Sequence, residues 1–143
     1  MKKISIVIIL LLLMSGCSQS PAKKPQDTSQ HKTEVRIDPE YARQVKQAAK
    51  SVTGVEDAAS VVIDREISLA IKVSGFPRLR LKSIKSQVAA KVRSLNKTYT
   101  SHITSDKKLF SELHKVENRI NSGIEDSARV KQDVEKINKA MGG

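Results

Sequence analysis

A single cysteine, at the end of a short apolar run, limits how this chain can fold. Lys2 and Lys3 precede residues 4–14, in which Ser5 is the only residue that is not hydrophobic. A basic start, a short apolar stretch and small residues at its end are typical of a secretory signal peptide. Such a stretch rises only about 16 Å as a helix, against roughly 30 Å of hydrocarbon, so a membrane-spanning helix is disfavoured. With no second cysteine, an exported domain must fold without disulfides.

The residues before Cys17 carry a first resemblance. Met14-Ser15-Gly16-Cys17 is similar to the lipobox of bacterial lipoproteins, in which an apolar and two small residues precede the cysteine. The resemblance implies that residues 1–16 are a lipoprotein signal peptide and that Cys17 becomes an S-diacylglycerol cysteine, with an N-palmitoyl chain as a further modification. It places the protein on the extracytoplasmic face of the cell membrane. The alternatives are a secreted protein with a spare cysteine and an uncleaved anchor.

The mature chain is strongly basic. The whole chain has a formal net charge of +11, and removal of Lys2 and Lys3 lowers this charge to +9. Anionic phospholipid, anionic wall polymers and nucleic acid are all attracted by such a charge, which does not choose among them. Nucleic acid is the least favoured, because the protein is exported and has no tryptophan and few aromatic side chains on which bases could stack.

Composition divides the mature chain into three parts. Residues 17–37 are polar, contain Pro21 and Pro25, and have almost no large hydrophobic side chain. Such a segment cannot bury enough apolar surface to become ordered, so it is predicted to be a flexible tether of about 20 residues. Residues 38–122 are predicted to form an α+β domain, and residues 123–143 a C-terminal amphipathic helix.

Hydrophobic periodicity predicts the first elements of the domain. Asp38 is a good N-cap for a helix that ends near Gly54. Strict alternation over residues 67–73 predicts a strand with Ile67, Leu69, Ile71 and Val73 on one face. A polar turn before this strand predicts a hairpin with residues 59–63.

The spacing then returns to that of a helix. The apolar face of this second helix consists of Leu81, Ile84, Val88, Val92 and Leu95. Residues 99–103 are predicted to form a third strand, with the odd-numbered side chains favoured as the inward set. Ser105 or Asp106 suits the N-cap of a further helix, and Gly123 separates it from a last amphipathic stretch.

These elements predict an α+β fold with a small three-stranded sheet, antiparallel or mixed, in α-β-β-α-β order. Two helices cover one face of the sheet, and one or two C-terminal helices follow. Packing of the last helix on the sheet is favoured over a projecting arm. The order resembles that of ring-building modules of bacterial secretion and sporulation channels and that of phospholipid-associated BON domains. This likeness concerns the fold and is weak evidence for function.

No catalytic constellation is evident in the sequence. His31, His102 and His114 have no second ligand at metal-binding spacing and are predicted to be surface residues. The glycines do not form a phosphate-binding loop. Asp64 and Glu66 flank a turn and are interpreted as the polar tip of a hairpin. The sequence therefore predicts a protein that is not an enzyme and has no cofactor or metal.

A basic helix contains the candidate partner-facing residues, which are Arg78, Arg80, Lys82, Lys85 and Arg93. No acidic residue occurs from position 77 to position 105. At 100° per residue Arg80 lies on the opposite flank from the other four. One interpretation is a solvated helix whose long side chains cover the edges of the core. The other is a surface that faces anionic phospholipid, a wall polymer or an acidic envelope protein.

The chain resembles the YhcN/YlaJ family of sporulation lipoproteins. The likeness is carried by the lipobox-like residues 14–17, by Val-Thr-Gly-Val-Glu-Asp-Ala-Ala at 52–59, by the strand pair 60–63 and 67–73, and by the strand and helix at 100–110. It implies a membrane-attached protein of the forming or dormant spore that affects germination or outgrowth, without enzyme activity. Cys17 is the only functional residue that the resemblance transfers.

The sequence thus predicts a non-catalytic lipoprotein that acts by binding at the surface of a spore or forespore membrane. The alternative is an oligomerising, ring-building-type structural module of a cell-envelope assembly. Because no other residue has a recognisable role, Cys17 is expected to be a working part that concentrates a weak binding surface at the membrane.

Overall fold

Four helices and three strands make up the part of the chain that the structure describes. The computed structural model describes residues 34–75, 78–123 and 126–142, all within the unit Thr33–Gly143. In chain order the elements are α1 (Pro39–Lys50), β1 (Val55–Ile63), β2 (Glu66–Val73), α2 (Arg78–Leu95), β3 (Thr100–Thr104), α3 (Lys107–Asn121) and α4 (Ser127–Met141). The predicted signal peptide, Cys17 and the first part of the predicted tether lie outside the described residues.

The three strands form one mixed sheet in the order β1-β2-β3. β1 and β2 are an antiparallel hairpin, and the turn residue Asp64 has a φ of 55°, a left-handed conformation that Asp tolerates in tight turns. β2 and β3 run parallel, and α2 is the crossover helix that a parallel pair requires. The predicted α+β fold and its α-β-β-α-β order are confirmed, and the sheet is the mixed form of the two that were predicted.

β2 is buried on both faces and separates two hydrophobic cores. Ile67, Leu69 and Ile71 belong to the first core, which α1 and α2 cover. Ala70 belongs to the second core, which α3 and α4 cover. Two helices thus pack on each face of the sheet. The two helices predicted to cover one face are α1 and α2. The C-terminal helices pack on the opposite face, so the last helix packs on the sheet, as predicted, and is not a projecting arm.

β3 turns the predicted side chains toward the first core. Tyr99, just before the strand, and Ile103 both contact this core, whereas Ser101 is exposed. The Tyr99 ring also lies 5.0 Å from the Tyr41 ring of α1, measured between centroids. Of the three odd-numbered residues predicted to face inward, the two apolar ones, Tyr99 and Ile103, do so, and Ser101 does not.

Aspartates cap a helix on each side of the sheet. Asp38 accepts a hydrogen bond from the Tyr41 amide at 2.9 Å at the start of α1, as predicted. Asp106, not Ser105, caps α3, and its carboxylate accepts hydrogen bonds from the Lys108 and Leu109 amides. The carboxylates satisfy amides that have no partner within the helix and oppose the positive end of its dipole.

A short strap before α1 pairs with the outer edge of β1. The Asp38 amide donates to the Val62 carbonyl at 3.0 Å, and the Asp64 amide donates to the Arg36 carbonyl at 2.7 Å. Ile37 forms an antiparallel bridge with Ile63. Residues 35–38 are called the strap below. Residues 35–37 of the strap belong to the segment predicted to be a tether, and Ile37 packs against the second core.

A partly buried ion pair joins the helices of the two faces. Lys46 of α1 places its Nζ 3.0 Å from both carboxylate oxygens of Glu117 on α3, and Glu117 is only 7% exposed. His114 Nδ1 lies 3.2 Å from the same carboxylate. A charge this buried is stable only with partners, so the cluster holds α1 and α3 at a fixed position relative to each other.

Gly54, between α1 and β1, is expected to tolerate no side chain. Its φ is +102°, and a Cβ built there lies 2.7 Å from Cδ1 of the buried Ile84. Gly123 has a φ of +68° and nothing within 4 Å of a Cβ, so it is the matched control. We expect Gly54→Ala to lower the free energy of unfolding by about 2–3 kcal/mol and Gly123→Ala by about 1 kcal/mol, measured by urea unfolding. Equal losses would contradict this account.

The ion pair between α3 and α4 is expected to make stability depend on pH. The hydrogen bond from Arg119 Nη2 to Asp133 Oδ2, 2.6 Å long, is the main cause that lowers the pKa of Asp133 below its usual range. A lowered pKa stabilises the fold above the unfolded-state value, and this contribution is lost as the pH falls through the folded-state pKa.

Asp133→Asn is therefore expected to cost less than about 1 kcal/mol at pH 7, because the pair is partly solvent-screened. The difference from the parent protein should shrink below about pH 4. Urea unfolding across this range measures it, with Glu112→Gln in the exposed pair with Lys108 as the control. A stability difference that is constant with pH would contradict the assignment.

Candidate anion-binding surface

α2 carries the predicted basic residues and is fixed in place by one apolar seam. Ile84, Val88 and Val92 are buried in the first core at helical spacing, as predicted. Leu95, assigned to the same apolar face, is instead 42% exposed. It is the last residue of α2, where the helix extends past the seam. The seam leaves both flanks of the helix to polar side chains.

The two flanks of α2 differ in charge and in what they face. Arg80 lies on the flank that, with Ser83 and Gln87, lines a recess beside Thr53 and Gly54. Helical spacing places Lys82, Lys85 and Arg93 on the other flank. These three residues are called the basic flank below. The structure thus separates Arg80 from the other described candidates.

The basic flank continues toward the outer side of β3. Arg93 lines a second recess together with Lys97, Tyr99 and Ser101. Lys82 and Arg93 are exposed and Lys85 is half-buried, so their charged groups are in contact with solvent. Helical spacing adds Arg78 to this side of α2, but its side chain is outside the described part of the structure.

The basic flank takes no part in the ion pairs of the described residues. Several basic residues on other elements have carboxylate partners within 4.0 Å, although others such as Lys107 do not, and these pairs are Arg43–Glu40, Lys46–Glu117, Lys50–Asp57, Lys72–Glu56, Lys108–Glu112, Arg119–Asp133 and Lys131–Asp64. Within the described ranges, no ion pair involves Lys82, Lys85 or Arg93. The reason lies in the sequence, since no acid occurs from position 77 to 105.

The field of α2 itself adds to this positive charge. A helix has partial positive charge at its N-terminus, where acidic side chains are stabilising and basic ones are not. The first turn of α2 has no acidic residue, and Lys82 follows within the second turn. Basic residues at this end cost helix stability, so a local structural advantage does not explain them. The arrangement suits an external anion that supplies the missing negative charge.

The histidines were predicted to be surface residues, and the structure gives one of them a partner. His114 stacks on Phe110 with centroids 5.9 Å apart and contacts Glu117. His102 is half-buried in β3, and His31 lies outside the described residues. Among the residues that the structure describes, no group of three or more His, Cys, Asp or Glu could hold a metal ion.

A family comparison decides what kind of protein this is. The family model of the sporulation lipoprotein YhcN/YlaJ matches residues 16–140. The chain belongs to this family. The match covers the predicted tether and the described elements up to residue 140, so the resemblance noted in the sequence is confirmed. A search of curated proteins found no match to the chain.

Membership identifies the chain as a sporulation lipoprotein. The family match begins one residue before Cys17, so the predicted lipidation site lies within it. None of the helices in the described ranges is long and apolar enough to cross a membrane. Attachment through a lipid is what the name of the family indicates, and Cys17 as its site stays a prediction.

Proposed function

We propose that this lipoprotein is anchored through Cys17 to a spore or forespore membrane and acts there without catalysis. In this proposal the basic flank binds the anionic surface of the membrane on the extracytoplasmic side. The binding serves spore formation, germination or outgrowth. The observation that supports it most directly is that Lys82, Lys85 and Arg93 share one flank of α2 and have no ion pair within the described ranges, in a segment without acidic residues from position 77 to 105.

The expected strength of this binding explains why an anchor is useful. Each Lys or Arg near an anionic membrane contributes on the order of 1 kcal/mol, so three of them give roughly 3 kcal/mol. Alone, that corresponds to a dissociation constant of about 6 mM. A tether of about 20 residues has an r.m.s. reach near 25 Å and keeps the domain at a local concentration in the millimolar range. Anchor and basic flank together therefore suffice for dynamic binding.

An exposed leucine supports a membrane over a soluble wall polymer. Leu95 is the only large hydrophobic side chain among the described residues that is exposed, and Arg93 precedes it in the last turn of α2. A hydrophobic side chain beside basic residues is the pattern of surfaces that lie in the head-group region of a bilayer. A wall polymer would use the positive charge but not the leucine.

One observation favours the second candidate, a ring-building-type oligomeric module. β3 pairs only with β2, so the outer edge of this strand is available to another chain within what the structure describes. The strand is only five residues long, and Arg93 and Lys97 lie beside it. Like charges on two copies would repel each other there, so the membrane proposal is preferred.

The basic flank predicts salt-sensitive binding to anionic vesicles. The probe protein is the mature chain, residues 17–143, with Cys17→Ala so that no lipid contributes. We expect it to co-sediment with phosphatidylglycerol vesicles and not with phosphatidylcholine vesicles. Lys82→Glu with Lys85→Glu should weaken this binding by more than about tenfold, because each change replaces attraction with repulsion.

Lys136→Glu with Lys139→Glu is the matched control. Both residues are exposed on α4, and the net charge changes by the same amount. The control should retain most of the binding. If both double variants lose vesicle binding equally, only the net charge of the protein matters and the basic flank has no special role. Equally poor binding of the parent protein to both kinds of vesicle would refute the proposal. Concentration-dependent assembly in sedimentation, unaffected by the α2 variant, would favour the oligomeric module instead.

Cys17→Ala is expected to impair the biological role more than any single substitution in the described domain. Without lipid the weak surface is no longer held near the membrane. In sporulating cells we expect the variant to leave the membrane fraction and to reproduce the germination timing of a deletion strain. Lys82→Glu alone is the comparison and should give a smaller effect. Full function of a secreted, unlipidated form would show that the anchor is dispensable.

A further inference from the structure

A pocket opens at the end of the sheet because β2 is longer than β3. β3 ends at Thr104, which pairs with Ala70, and the chain then turns away into α3. β2 continues to Val73 and pairs there only with β1. The gap beside the last residues of β2 has a volume of about 380 Å³. It is called the edge pocket below, and it lies at the carboxyl ends of two parallel strands, where α/β folds commonly bind ligands.

The walls of the edge pocket are mostly apolar. Ile71 and Val73 come from β2, Leu81 from α2 and Phe110 from α3. Leu81, Val73 and Phe110 are only half-buried, so apolar surface remains open at the pocket. A volume of this size is at the lower end of the range for small-molecule sites, which are typically lined by apolar and aromatic side chains. The walls therefore suit a hydrocarbon chain.

The charged groups among the described lining residues of the edge pocket are basic. Lys72 and Lys107 line it together with Ser105, and among the described lining residues none is acidic. Lys107 has no ion pair within the described ranges. Lys72 pairs with Glu56 at 3.5 Å, but both side chains are about half exposed, so that pair is weak and exchangeable. The nearby Asp106 is engaged in capping α3 through its carboxylate.

We propose that the edge pocket binds the acyl chain of an anionic membrane lipid, with Lys107 and Lys72 contacting the head group. The proposal rests on the proposed function, because it assumes a domain held at a membrane. The pocket complements this ligand, because its apolar walls suit the acyl chain and its two ammonium groups suit the negative charge of the head group. Leu81 and the basic flank share α2, so a lipid in the pocket lies beside the surface proposed to contact the bilayer.

The test uses cis-parinaric acid, a fluorescent fatty acid, and its neutral methyl ester as probes. Both are titrated into the mature chain with Cys17→Ala, which has no tryptophan to interfere. We expect saturable, equimolar binding of the acid. Lys107→Glu should weaken binding of the acid by about tenfold and that of the ester by less than about twofold, because only the acid uses the ammonium group.

Lys107→Glu is expected to fold, because a glutamate in the first turn of α3 is favourable to the helix dipole. Lys115→Glu is the matched control, since it makes the same charge change at an exposed site farther along α3. Val73→Phe, which fills the pocket with apolar bulk, should weaken binding of both probes. The Lys82→Glu/Lys85→Glu variant should still bind parinaric acid within about twofold, so the two proposals fail separately.

If parinaric acid shows no saturable binding, the proposal for the edge pocket is wrong, even if the basic flank binds anionic vesicles. Binding that is unchanged by both Lys107→Glu and Val73→Phe would place the probe elsewhere and also overturn it. Association of the protein with itself that competes with the probe would show that a second copy covers the pocket instead. Displacement of the probe by lysophosphatidylglycerol, but not by lysophosphatidylcholine, would support an anionic lipid as the ligand.

Discussion

The rest of the structure depends on the burial of β2 on both faces. Its large side chains, Ile67, Leu69 and Ile71, face α1 and α2, while Ser68 and Ala70 face α3 and α4. Small side chains on the second face leave room for α4 to approach, and Ser68 donates to Asn138 at 2.6 Å across the contact. With neither disulfides nor tryptophan, stability comes from two aliphatic cores that share one strand. These cores position the basic flank and the walls of the edge pocket.

The crossover from β2 to β3 explains why charge and cavity occur together. A parallel pair requires a long crossover between its strands, usually a helix, and α2 is this crossover between β2 and β3. The seam of Ile84, Val88 and Val92 fixes which flank faces outward. The same crossover brings Leu81 next to the last residues of β2, which extend beyond the end of β3. One topological element thus positions both the basic flank and one wall of the edge pocket.

Local signals in the sequence predicted most of the elements and the separation of Arg80 from Lys82, Lys85 and Arg93, because helix spacing and alternation are encoded residue by residue. Contacts between distant segments were not predictable. Lys46 and Glu117 are 71 positions apart, and nothing local marks them as partners. Exposure of Leu95 depends on where the helix extends beyond the core. The edge pocket arises from unequal strand lengths, and residue patterns define strand ends poorly.

The strap gives the domain a defined mechanical attachment point. Residues 35–38 directly follow the predicted tether, and they pair with the outer edge of β1 through the Val62 carbonyl and the Asp64 amide. If the chain is lipid-anchored as proposed, tension along it would reach these two hydrogen bonds, and the one from the Arg36 amide to Asp64 Oδ1, before it reaches the rest of the hairpin. Their rupture would release a few residues of additional chain while β1, β2 and β3 stay paired. In that proposed arrangement the strap would yield to a moving membrane before the sheet unfolds.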